Sequence, residues 1–210
     1  LSGGFDNEVA LRALESENPH MRRWAVRLVG DAKKTTPKVA AELKDLAVRE
    51  PEVEVRSQLA SSAKRLPADQ GLPIVRELAA RGSDVNDLHI PLLLWWAVEA
   101  KCGNDRDAVL TMFKDANVWE LPMVEEHLLE RLMRRYAMAG SPQDLQTCAD
   151  LLALSPSKEH SAKLMAGLMQ AFQGRQIGSL PSALAKALDE HQSGLGKSGV
   201  VIGLRRGDQD

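Results

Sequence analysis

The tripeptide Gly196-Lys197-Ser198, inside SGLGKSG at 193–199, has the residue types that close a phosphate-binding loop: a lysine for the terminal phosphates and a hydroxyl for a metal ion. The complete loop needs a glycine five residues before Gly196, where this chain has His191, and a strand leading in, where a helical pattern leads in instead. A flexible connection is the expectation for 193–199. His20, His89, His127, His160 and His191 could ligate a metal, but they stand at no H-x-x-x-H or similar spacing and no cysteine or acid cluster joins them. Exposed or helix-capping roles are expected for them. Cys102 and Cys148 match neither C-x-x-C nor C-x-x-C-H and are expected to be free, partly buried thiols. Neither G-x-S-x-G nor H-E-x-x-H occurs. These residues predict no catalytic, cofactor-binding or metal-binding position.

Recognition chemistry has better candidates. HIPLLLWWAVEA (89–100) places Trp95 beside Trp96 in a chain with eight aromatic residues in all. On a helix Leu92, Trp95, Trp96 and Glu99 would share one side, and Leu93, Leu94, Ala97 and Val98 the other. A helix apolar nearly all round is normally buried, and each indole stands to gain about 4–6 kcal/mol from burial as an upper estimate. The pair is therefore expected in the core, with the alternative that one ring reaches the surface as an anchor for a partner. A charged stripe of Arg131, Arg134 and Arg135 with Glu126 and Glu130 reads as a solvated face or, alternatively, a docking patch for carboxylates.

The elements that would position these residues all read as helices. Between Pro, Gly and Ser marks, apolar residues recur at i, i+3, i+4 and i+7, predicting helices near 6–16, 19–30, 37–49, 52–65, 70–81, 88–101, 105–115, 121–138, 143–154, 158–173 and 181–191 with no strand. Asn18-Pro19, Thr36-Pro37 and Ser141-Pro142 put a capping side chain before a proline at the first helical position, and Asp144 follows Ser141 as in a capping box. Gly82, Gly103, Gly140 and Gly174 fall where helices should end in a left-handed residue. Val124, Leu128, Leu129, Leu132, Met133 and Tyr136 form the clearest apolar stripe. Met21-Arg22, Val55-Arg56, Ile90-Pro91 and Val124-Glu125 recur at offsets of 34, 35 and 34 residues. That period in helix pairs predicts an α-solenoid of five to six antiparallel pairs, a single array over 1–210 with units near 1–30, 36–66, 69–102, 104–138, 142–173 and an incomplete one at 180–210.

Composition agrees with a globular chain: 44% apolar and 27% charged residues, a net charge of -2 and a pI near 6.3. Basic residues come in small clusters (Lys33-Lys34, Arg134-Arg135, Arg205-Arg206) with acids between them, a poor match for phosphate backbones, so nucleic acid is not an expected partner. The apolar run from Ile90 to Val98 is too short to span a bilayer. The opening Leu1 and the ending LRRGDQD suggest a piece of a longer protein.

NPHMRRWAVRLVG (18–30) and EPEVEVRSQLASSAKRL (50–66) resemble the HEAT-like repeat: a proline opening the second helix, a Val/Met-Arg pair, small residues, then a closing Leu or Val. The stretches HIPLLLWWAVEAK, ERLMRRYAMAG, DLQTCADLLAL, MAGLMQAFQGR and LPSALAKAL are similar to the helical segment of bacterial membrane-bound dehydrogenase-type proteins, in which a sugar-dehydrogenase-like β-propeller is followed by HEAT-like repeats and a c-type cytochrome domain. The resemblance covers roughly residues 5–205, carries no catalytic or haem residue, and departs from the consensus at Pro91 and Glu125, where Arg22 and Arg56 stand in earlier units. It implies a noncatalytic spacer or protein-interaction module, periplasmic or exported, with cytoplasmic location as the alternative and neighbouring domains or another chain as partners. HEAT-like DNA-repair glycosylases are the rival, with Trp95, Trp96 and Trp119 as a pocket, and a phycobilin-lyase-like array a third reading. The dispersed charge argues against the glycosylase.

Overall fold

A computed structural model describes residues 4–174 and 180–192, the last two by their backbone alone. The SGLGKSG loop, Arg205-Arg206, the His191 side chain and the end of the sixth predicted unit lie outside the described residues. Helices account for the architecture, and no strand occurs among the described residues. The chain divides into two compact units, one of Leu1–Met112 with Leu121–Met123 and one of Phe113–Glu120 with Val124–Asp210.

The first unit holds α1 (Asn7–Leu14), α2 (Pro19–Asp31), α3 (Pro37–Arg49), α4 (Val53–Ala63), α5 (Ala68–Ala79) and α6 (Ile90–Glu99). The starts of α1, α2 and α3 follow from capping chemistry. Asn18 accepts from the His20 N–H at 2.9 Å and Asp6 from the Val9 N–H at 2.9 Å, while Pro19 and Pro37 open α2 and α3 where a missing N–H costs nothing. Alternate helices pack on one another: α1 on α3 and α3 on α5 in one row, α2 on α4 and α4 on α6 in the other. Leu43, Leu46, Leu59, Leu66, Ile74, Leu78, Ile90 and Leu94 fill the space between the rows. Where helices meet closely, within a row or between rows, side chains vanish. A Cβ on Gly30 would lie 2.6 Å from Ser62 Oγ, and one on Gly71 would lie 2.5 Å from the Ala63 carbonyl.

The second unit holds α8 (Ala116–Trp119), a π-helical turn at Val124–Leu128, α9 (Leu129–Ala139), α10 (Pro142–Leu154), α11 (Lys158–Ala171) and α12 (Ser182–Gln192); α7 (Arg106–Phe113) ends at its first residue. Here α9 packs on α10 and α11, and α10 on α12. The expected stripe Val124, Leu128, Leu129, Leu132, Met133 and Tyr136 is buried throughout. At the α9–α11 crossing a Cβ on Gly167 would lie 2.1 Å from the Glu130 carbonyl, so the two backbones touch.

Two expectations need correction. The helix expected over 121–138 is not one continuous α-helix, because a π-turn precedes α9, and Lys163 Nζ donates to the Glu125 carbonyl at 3.0 Å within that turn. Gly82 and Gly103 are not left-handed caps: positive φ occurs at Gly140 (69°), Gly174 (73°) and, unexpectedly, Lys33 (61°), whereas Gly82 opens a short 3-10 turn, Gly82–Asp84. At the start of α10, Ser141 Oγ accepts from the Asp144 N–H and donates to the Asp144 carboxylate at 2.6 Å.

Candidate functional surface

Arg22 in α2 and Arg56 in α4 make the same set of bonds 34 residues apart. Arg22 donates from Nε and Nη2 to the Glu50 carboxylate at 2.7 and 2.6 Å, and from Nη1 to the carbonyls of Ser16 and Glu17. Arg56 donates from Nε and Nη2 to the Asp84 carboxylate, both at 2.6 Å, and from Nη1 to the carbonyls of Glu50 and Pro51. Each planar fork thus ties the loop before its own helix to an acid 28 residues ahead. Burial pushes the Glu50 carboxyl up, but hydrogen bonds from Arg22 and the Glu52 N–H, with the charges of Arg22 and Arg56, outweigh it and hold the group below the usual carboxylate range. The arginines were singled out by their repeat position; the acids were not, although Glu50 and Asp84 share the same offset of 34 residues.

No third fork follows, since Pro91 replaces the arginine. Asp87 Oδ1 accepts from the His89 and Ile90 N–H groups at 2.8 Å there, and Lys101 Nζ reaches the carbonyls of Lys64 (3.0 Å) and Leu66 near the end of α4. Burial pulls the Lys101 ammonium below its ordinary value, partly offset by Asp105.

The tryptophan pair separates. Trp95 is buried at 8% exposure and Trp96 is 40% exposed, so the two do not share a side of α6 and the expectation of a core pair holds for Trp95 alone. Leu92 is exposed one turn before Trp96 on α6, and Leu88 is exposed in the bend that precedes the helix. The Lys64 ammonium lies 5.5 Å from the Trp96 ring centroid. A second exposed indole was not foreseen: Trp24 in α2, 52% exposed, with the Arg27 guanidinium 5.3 Å from its centroid. Its signal was present in the sequence, because Trp24 lies on the helical wheel opposite the inward positions Arg22 and Val26. Glu99 is half-buried.

In the second unit Arg131 and Arg135 are half-buried and Arg134 is exposed. Arg131 donates to the His127 carbonyl at 2.9 Å, and Gln170 of α11 joins Arg134 to Glu130 by accepting from the first at 3.0 Å and donating to the second at 2.6 Å. Intramolecular bonds thus occupy much of the stripe. His160 takes a place at a helix cap rather than an exposed one: it is buried, with Nδ1 2.9 Å from Ser157 Oγ and Nε2 3.1 Å from the Trp119 carbonyl. Glu120 lies 3.8 Å from the same Nε2, giving a serine, histidine and glutamate in sequence. Ser157 Oγ accepts from the His160 N–H as the cap of α11, and the imidazole packs edge-on to Trp119, so these groups brace a helix start. Trp119 is fully buried and donates to the Phe113 carbonyl at 2.9 Å.

Cys102 and Cys148 form no disulfide and are buried, and burial pushes the Cys148 thiol up to about 12. Among the described residues no group of three or more His, Cys, Asp or Glu side chains could hold a metal, and no helix is long and apolar enough to cross a membrane. Open surface grooves among the described residues include one of about 250 Å³ beside Lys44 and Gln70 and one of about 400 Å³ between α1 and α3. No family model, no curated protein and no solved structure matches the chain.

Proposed function

We propose that the chain is a noncatalytic scaffold: an α-solenoid of HEAT-like helix pairs that holds neighbouring domains at a set distance and offers a face to a partner protein. The observation that carries this reading is the duplicated guanidinium fork, Arg22–Glu50 and Arg56–Asp84, in helices that pack row on row. Repeated interfaces of this kind make stiffness a sum of nearest-neighbour contacts. The more specific form, a spacer between a dehydrogenase-like β-propeller and a cytochrome c domain outside the cytoplasm, draws its support from the resemblance in sequence. A glycosylase-type pocket gains nothing from Trp95 and Trp119, whose rings are buried.

Single-molecule energy transfer tests the mechanical part. Met21 and Met138, about half exposed, accept cysteine substitution and dye labels, while the two native thiols are buried and unreactive in the folded chain. A stiff spacer gives one narrow distance distribution. A broad or multiple distribution overturns the reading, as does binding of duplex DNA that falls steeply with added salt.

A further inference from the structure

A run of polar contacts leads from one exposed indole of the first unit to the turn after α4, and a lysine of that turn covers the other. Trp24 carries Arg27 on its ring; Arg27 Nε lies 3.8 Å from Asp31, and Asp31 lies 3.4 Å from Arg65 in the turn that follows α4. Arg65 donates to the Ser61 carbonyl at 3.3 Å and to Ser62 Oγ at 3.1 Å, and its neighbour Lys64 covers Trp96. Two aromatic anchors therefore stand on α2 and α6, with α4 between them, and each bears a cation. Apolar surface continues past them at Met21 and Leu92.

Charge selects the occupant. Arg27 and Arg65 share Asp31, at 3.8 and 3.4 Å, whereas Lys64 has no carboxylate partner among the described residues. One uncompensated cation beside a weakly held one is too little for a polyanion, whose binding grows with each phosphate neutralised. It suits a few carboxylates spaced among apolar side chains. Exposed Trp beside Arg is also the composition of protein-binding hot spots.

We infer that the face bearing Trp24, Arg27, Lys64 and Trp96 docks an apolar, acidic segment of a partner protein, its carboxylates on Arg27 and Lys64 and its apolar side chains against the indoles. The inference rests on the scaffold reading and assigns that scaffold its contact surface. The cations already lie on the rings, so the partner meets a preformed site with little side-chain ordering left to do.

The test is a titration of the full chain with a short peptide alternating Leu or Phe with Glu, followed through the indole N–H resonances. Trp24 and Trp96 should shift and the buried Trp119, bonded to the Phe113 carbonyl, should not. Affinity should fall at least about tenfold in Trp24→Ala, Trp96→Ala and Lys64→Glu, with Tm little changed because all three side chains are exposed. The Lys-for-Glu peptide should bind more weakly than the acidic one. Indifference to Lys64→Glu, shifts confined to other residues, failure of the acidic peptide to bind, or tighter binding of oligothymidine would each overturn the assignment. A failed titration with a narrow energy-transfer distribution removes the docking face and leaves the spacer standing; a broad distribution with intact peptide binding does the reverse.

Discussion

Arg56 and Asp84 are both buried, so neither charge has water to fall back on once the other is gone. Arg56→Ala should cost about 3–5 kcal/mol in urea unfolding, whereas Arg56→Met with Asp84→Leu should recover most of that loss, because the penalty lies in the orphaned carboxylate rather than in the pair itself. Glu50 makes a pH prediction. Its folded pKa lies below the usual 4.5, so between the two values the unfolded chain binds more protons. Its contribution is complete above the unfolded value and is lost as pH falls through the folded one. Stability measured from neutral pH downward should drop in that window, and Glu50→Gln, already destabilised, should show a shallower acid limb. Repeat position made the arginines legible at this scale. The acids were hidden, because their partners come from another helix pair and nothing in the local pattern around Glu50 or Asp84 demands a cation.

Element boundaries followed the capping residues closely: α2, α3 and α10 begin at Pro19, Pro37 and Pro142 as expected. Local hydrogen bonding sets a helix start, and local sequence reports it. Helix ends were less legible, since Lys33 takes the left-handed conformation that glycine adopts cheaply. Lys33→Gly should stabilise by up to about 1 kcal/mol, read as a raised Tm. Crossings gave no sequence signal either. Gly167→Ala would press a methyl into the Glu130 carbonyl and should destabilise by about 1–3 kcal/mol as α9 and α11 separate, measurable by urea unfolding. The π-turn at Val124–Leu128 preserved the apolar stripe and so escaped a reading based on period alone.

At the scale of the whole molecule, two compact units predict two patterns of local opening. Arg56→Ala should speed amide exchange through α2 to α6 while protection in α9 and α11 changes much less; uniform loss across the chain would show a single cooperative block. The sequence alone determined an all-helical chain, the starts of most helices, the stripe that fills the second unit and the arginine pair at a period of 34 residues. Those features depend on neighbours within a turn or on a repeat of the same residues. Tertiary structure alone decided which tryptophan is buried, which acids the arginines hold, and that Trp24 and Trp96 each carry a cation on exposed faces of α2 and α6. An apolar helix has several faces equally able to enter a core, and only the helices packed against it choose which one stays in water.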